Sequence, residues 1–205
     1  GGAVVMIPFL LYVPPLLGVG RLDVKAVAGV TMTQVLVAAA AGMLAHRRHG
    51  AVDTRLAWVG GGWMALGSLV GALVSKFLRD DVLLLVFAVM VTAAAVLILL
   101  PTGGEVVVGA GRVEFSVLRA ATVAGGVGVA AGLVGAGGAF LLVPLLLVVV
   151  GIPIRVTIGS SLAITALAAS AGFVGKLVTG QIPFGPALAV VAGAIPGAWL
   201  GAAVS

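Results

Sequence analysis

The side chains of this chain that could do chemistry are hydroxyls, one amide and a few cations. Ser160 and Ser161 follow Gly159, with Thr165 one helical turn on, while Thr31, Thr33 and Gln34 follow Gly29 in the equivalent helix of the other half. Such neutral donors hold an anion when unpaired main-chain N–H groups, or the positive end of a helix dipole, point the same way. Two glycine clusters are the expected source of those N–H groups. Gly135-Ala136-Gly137-Gly138 runs straight into Ala139-Phe140-Leu141-Leu142-Val143-Pro144, and the chain opens on the similar Gly1-Gly2-Ala3-Val4-Val5-Met6-Ile7-Pro8. Glycine inside an apolar span frees the backbone to turn, and the break persists only where protein or a wet cavity surrounds it. The same hydroxyls could instead bond back to their own helix carbonyls, as is common in membrane helices.

The ionisable groups narrow the chemistry. All six acids, Asp23, Asp53, Asp80, Asp81, Glu105 and Glu114, fall in loops or at the ends of apolar spans. Cation carriers and proton relays place carboxylates inside the bundle despite a cost of roughly 2.5–3.5 kcal/mol per charge, so a cation is not expected as principal substrate. Lys176 and His46 each end a stripe of small and hydroxyl residues, Ser161-Thr165-Ala169-Gly172-Lys176 and Thr31-Val35-Ala39-Gly42-His46. Either could draw an anion to the mouth of a pathway, although snorkelling to the headgroups is the expected behaviour of Lys176. His46 and His49 flank two arginines without a nearby acid, which speaks against a metal site. With no cysteine there is no thiolate ligand or nucleophile, and no Lys-Ser or Lys-Thr follows the glycine cluster as a phosphate-binding loop requires. An intramembrane serine hydrolase would need His46 carried to Ser160, Ser161 or Ser170 from another helix end. No catalytic residue and no cofactor is therefore expected.

The elements that must position these groups are membrane helices. Of the 205 residues 62% are hydrophobic and 8% charged, with a mean hydropathy of +1.34, which no water-soluble globule of this length can bury. The 11 Lys and Arg lie between apolar spans and read as topological anchors rather than as a nucleic-acid surface. Spans are expected over residues 3–19, 26–45, 56–74, 82–100, 117–134, 158–178 and 184–204. Pro8, Pro14 and Pro15 are expected to make the first a bent or half helix. Residues 139–150 make a short segment of about 18 Å against a hydrocarbon thickness of about 30 Å, and should form a hairpin or broken helix with their neighbour. Trp58, Trp63 and Trp199 suit a membrane belt or packing positions. Glycines four apart at Gly67 and Gly71, and at Gly128 and Gly132, suit close helix packing.

The chain also repeats itself. A shift of 130 places Gly29, Gly42, Gly50, Gly67 and Gly71 on Gly159, Gly172, Gly180, Gly197 and Gly201, and the glycine clusters match at a shift of 136. The reading is an all-α polytopic membrane protein of two homologous repeats, residues 1–100 and 117–205, joined by a polar link at 101–116. Glycine-rich broken or re-entrant helices are expected in each repeat, with the functional centre at the junction. Arg47, Arg48 and Arg55 make the densest basic loop and should be cytoplasmic, whereas the matching loop keeps only Lys176. Inverted repeats would show that asymmetry, and parallel repeats stay open on sequence grounds. Residue 1 falls within a motif and residue 205 within an apolar run, so the sequence reads as an excerpt of a longer polypeptide.

The run GAGGAFLLVPLL at Gly135–Leu146 and IGSSLAITALAASAGFVGKLVTG at Ile158–Gly180, echoed by GGAVVMIP and GVTMTQVLVAAAAGMLAH in the first half, resembles the sulfite exporter TauE/SafE family of membrane anion permeases. That resemblance implies a secondary transporter for sulfite, an organosulfonate or a related small anion in a prokaryotic plasma membrane. The expected substrate-binding set is Gly1, Gly2, Gly29, Thr31, Gln34, Gly137, Gly138, Gly159, Ser160, Ser161 and Thr165, with His46 and Lys176 at the mouths. An anion-selective channel, or a permease for thiosulfate, sulfate or a carboxylate, is the alternative. The expected partners are the anion, the bilayer, a coupling ion and another copy of the chain, the last two left open. Val30-Thr31-Met32 stands where the second half has Ser160-Ser161-Leu162, so the halves need not bind alike.

Overall fold

A computed structural model describes residues 2–18, 20–46, 53–100 and 115–204. Among them lie eight α-helices: α1 Gly2–Leu16, α2 Val24–His46, α3 Thr54–Val74, α4 Asp80–Leu99, α5 Val117–Val134, α6 Ala139–Leu145, α7 Ile154–Val178 and α8 Phe184–Val204. Five helices are long and apolar enough to cross a membrane. The protein is thus an all-helical, multi-pass membrane protein. Gly1, the His46–Asp53 linker apart from its ends, and most of the link between the expected repeats fall outside the described residues.

Local chemistry sets the helix ends. Asp53 caps α3 by accepting from the N–H of Leu56 at 2.8 Å, and Ser116 caps α5 by accepting from the N–H of Arg119. At its other end α5 stops at Gly135, whose φ of 77° is the left-handed conformation that ends helices cheaply only in glycine. The apolar pattern of α4 runs all round it, and Leu85, Val89, Ile98 and Leu99 are exposed, as for a helix facing lipid. α1 is one helix of 15 residues that contains Pro8, Pro14 and Pro15. The last two lie in its final turn, where the helix is ending and little bonding remains to be lost. At a rise of about 1.5 Å per residue it covers only about 22 Å.

α3 lies between α5 and α7. Gly128 meets Met64 and Gly132 meets Ser68, while Gly60 meets Ile164 and Gly175 meets Ala72. Both series ascend together, so α5 and α7 run parallel to α3. The glycines are needed for this approach: a Cβ on Gly128 would come to 2.9 Å from the Met64 Cα, and one on Gly71 to 2.9 Å from the Leu133 nitrogen. α2 runs the opposite way along α7. Gly29, near the start of α2, touches Gln181 just beyond α7, Met32 reaches Gly172, and Asp53, after α2, meets Ser160 near the start of α7.

A candidate anion site at the glycine break

The chain leaves α5 at Gly135 and turns back against it. Gly135, Gly137 and Gly138 all have φ between 68° and 77°, and residues 135–138 are buried. A side chain at any of the three would be strained whatever the space around it. Space is also lacking: Gly135 lies against the Ala28 carbonyl, Gly137 against the Val35 side chain of α2, and Gly138 against Met64, Ala131 and Val127. Contact with Val127 and Ala131 places Gly138 back beside the middle of α5. From there α6, and a π-helical turn over Leu146–Val150, lead to Gly151 and α7. The amides of Gly137 and Gly138 have no backbone acceptor among the described residues. The short segment expected over 139–150 is therefore one α-helix of seven residues continued by the π-turn.

Two buried side-chain oxygens among the described residues have no hydrogen-bond partner, Gln34 Oε1 and Thr165 Oγ1. They sit on α2 and α7, one position apart in the 130-residue register. Gln34 neighbours Val35, which contacts Gly137, and its Nε2 is 3.8 Å from where a Gly2 side chain would begin. Orphaned buried polar atoms cost about 1–3 kcal/mol each, so two of them in a membrane bundle call for a ligand, water or ion. Turning the Gln34 amide by half a rotation presents its N–H in place of the oxygen.

The other hydroxyls are engaged. Thr31 Oγ1 donates to the Val27 carbonyl at 2.9 Å, Thr33 to Gly29 at 2.9 Å and Ser161 to Ile158 at 2.9 Å. Ser160 Oγ accepts from the Asp53 N–H at 3.1 Å. For Thr31 and Ser161 the back-bonded arrangement holds, and donating to a substrate would first require breaking a bond within the helix. Gly29 and Gly159 lie inside their helices and not at the starts, where amides are free. α2 starts at Val24 and α7 at Ile154, so both glycines lie five residues inside, where their amides are committed to the helix. The role of Gly29 is close approach to the Gln181 carbonyl. Gly2 is the first residue of α1, with its amide free of an intrahelical partner.

Lys176 overturns the expectation that it snorkels. It is fully buried, and its ammonium donates to Ser75 Oγ at 2.7 Å, Gln181 Oε1 at 2.9 Å and the Leu133 carbonyl at 3.2 Å. Ser75 Oγ in turn donates to the Ala72 carbonyl at 2.6 Å, and Gln181 Nε2 to Thr179 Oγ1 at 2.9 Å. With all three protons taken, Lys176 has none to offer an anion. The sequence reading missed Ser75 and Gln181, whose only signal was being polar next to apolar spans. His46 is the last residue of α2, and its side chain lies outside the described residues. No group of three or more His, Cys, Asp or Glu able to hold a metal occurs among the described residues.

Comparison with known proteins agrees with this architecture. The chain is 26% identical over 206 residues to the probable membrane transporter protein YdhB of Bacillus subtilis, covering 98% of this chain and 80% of the relative. A probable membrane transporter protein of Xylella fastidiosa is 31% identical over 166 residues, 79% of this chain and 60% of the relative. YunE of Bacillus subtilis, also described as a probable membrane transporter protein, is 24% identical across the whole chain and 81% of its own length. No solved structure matches. The profile of the family described as "Sulfite exporter TauE/SafE" matches residues 1–205, and the chain belongs to that family.

Proposed function

We propose that the protein is a secondary transporter of a small anion such as sulfite or an organosulfonate, in the plasma membrane of a prokaryote. The observation that carries the reading is the pair of orphaned buried oxygens, Gln34 Oε1 and Thr165 Oγ1, on helices that run antiparallel. The antiparallel course of α2 and α7, which correspond in the repeat, is what inverted repeats 1–100 and 117–205 would give. Substrate then sits near the midplane, with N–H groups of Gly137 and Gly138 and of Gly2 facing negative charge. The Thr165 hydroxyl and the Gln34 amide fix its orientation. Ser160, Ser161 and Thr31 border this site and join it only in a state where their present bonds are released. Access alternates between the two sides of the membrane around the fixed site. The transport names of the relatives and of the family support the same reading.

Thr165→Val tests it, because valine keeps the shape and deletes only the orphaned hydroxyl. Uptake of labelled sulfite or of a short sulfonate into proteoliposomes should fall by about tenfold or more, the loss of one good hydrogen bond to a charged partner. The melting temperature of the empty protein should hold or rise, since an unsatisfied buried group has gone. Uptake equal to the parent removes Thr165 from the site. Saturable flux with counterflow supports a carrier, whereas single-channel currents replace it with a pore.

A further inference from the structure

We infer that the unit that moves during transport is neither repeat but a block of α3, α5 and α7, against which α2 and α8 shift. The inference rests on the alternating-access reading and assigns its moving parts. Between α3 and α5 the contacts are backbone to backbone. Gly67 and Gly71 of α3 lie on the main chain of residues 125–133, and Gly128 and Gly132 of α5 lie on the main chain of Met64, Ser68 and Ala72. No flexible side chain separates α3 from α5, so one cannot slide on the other without a clash, whereas α7 meets α3 through the side chains of Ile164 and Leu167 and is fixed to it by polar ties.

Polar ties close both ends of the α3–α7 pair. At one end the Ser160 hydroxyl accepts from the Asp53 N–H. At the other the Lys176 ammonium joins Ser75 at the end of α3, Leu133 at the end of α5 and Gln181 beyond α7. Ser160 and Lys176 are 16 residues apart on one helix, or about 24 Å, so the ties span most of the bilayer. Helices held along their length and at both ends behave as one body.

Among the described residues, the boundary with α2 has no such ties at both ends. Met32 lies on Gly172 through its Cε and Sδ, and Val35 lies on Gly137 through its methyl groups, contacts made by the ends of side chains. The two backbone approaches from α2 lie together at its start, Gly29 on Gln181 and Ala28 on Gly135, and form a pivot. The repeat register supports the division. α8 corresponds to α3 and α2 to α7, and α2 packs on α8 as α7 packs on α3. Each repeat has therefore exchanged one long helix with the other, α3 joining α5 and α7 while α8 joins α2.

The natural absence of cysteine makes the test direct. Gly61→Cys with Leu167→Cys lies inside the block, where Leu167 reaches Gly61, and Met32→Cys with Gly172→Cys crosses the boundary. Each pair is bridged by a short reducible bifunctional thiol reagent, and anion flux is measured before and after reduction. Linking Met32 to Gly172 should lower flux by about tenfold or more, reversibly, whereas linking Gly61 to Leu167 should leave it within about twofold, because only the first lock removes a conformer. The opposite pattern, or equal inhibition by both links, overturns the block. If the reduced proteins carry no anion at all, the transport reading fails by itself. The block is then judged by spin-label distances at exposed Leu66, Val174 and Leu188: a single narrow Leu66–Val174 distance beside a broad or bimodal Leu66–Leu188 distance supports it, and equal widths overturn it. The spin-labelled positions are exposed, so this second measurement does not depend on tolerance of substitutions at the glycines.

Discussion

Gly132→Ala tests the packing on which the bundle depends. A Cβ at Gly132 would stand 2.8 Å from the Ser68 carbonyl carbon and 2.9 Å from the Ala72 nitrogen, with the Ser68 carbonyl oxygen closer still. Unstrained non-bonded contact needs about 3.5 Å, so α3 and α5 must part by at least about 0.6 Å. Every neighbour is main chain, and no rotamer change can relieve the contact. A gap of about 0.5–1 Å forfeits a quarter to a half of each dispersion contact along the seam, and overpacking of this kind costs about 2–3 kcal/mol. For a chain of this size that is a fall in melting temperature of about 4–12 °C, read by tryptophan fluorescence or size-exclusion survival in detergent. Gly126→Ala is the control, because nothing lies within 4 Å of its missing Cβ and alanine is the better helix former by about 1 kcal/mol. Equal melting of the two variants, within about 2 °C, would refute the claim that α3 and α5 meet through their backbones.

Further substitutions probe the ends of the helices and the break. Gly138→Ala forces a φ of 71° on a residue with a Cβ and presses it against Met64, Ala131 and Val127. About 1–2 kcal/mol from the backbone alone should combine with a larger loss of anion uptake than of stability. Asp53→Ala removes the α3 cap and should cost about 1 kcal/mol in denaturant titration, with Asp53→Asn nearly neutral. Ser75→Ala leaves one Lys176 proton without its 2.7 Å partner and should destabilise by about 1–3 kcal/mol, measured by the same melting assay.

Helix positions were legible because each span is bounded by punctuation that physics enforces. The expected boundaries of 117–134 and 184–204 coincide with α5 and α8, and Gly135 ends α5 where a left-handed residue is required. The break was legible for the same reason, since only glycine serves at three positive φ angles in four residues. The hydroxyls were harder. Thr31, Ser161 and Thr165 share one pattern in the sequence, but whether a hydroxyl finds its own carbonyl depends on its rotamer and its neighbours. Two of the three bond backwards while Thr165 stays unpaired. Lys176 misled for a related reason: its position near a helix end suits snorkelling, and only the arrival of Ser75 and Gln181 from other elements makes burial affordable. Gly29 lies inside α2 because it must pass close to the Gln181 main chain, a contact that its sequence position does not reveal.

Burial of Lys176 also follows from helix direction. Because α3, α5 and α7 run parallel, their carboxyl ends meet in one place, and each carries the equivalent of about half a negative charge. Three such ends amount to about −1.5 charges around one ammonium, with the Leu133 carbonyl supplying a direct contact. The lysine is therefore held by backbone dipoles in the way the glycine break is proposed to hold an anion, with the sign reversed. Two substitutions separate this account from simple space filling. Lys176→Met deletes the charge together with its desolvation cost, and exchange of a buried ion for an apolar side chain of similar volume is near neutral or stabilising. Lys176→Glu keeps comparable length but sets a negative charge against three negative ends and against the Gln181 and Ser75 oxygens. An uncompensated buried charge costs about 3–5 kcal/mol, enough to abolish monodisperse protein in detergent at ordinary temperature. A Lys176→Glu protein as stable as Lys176→Met would mean that the helix ends do not converge there.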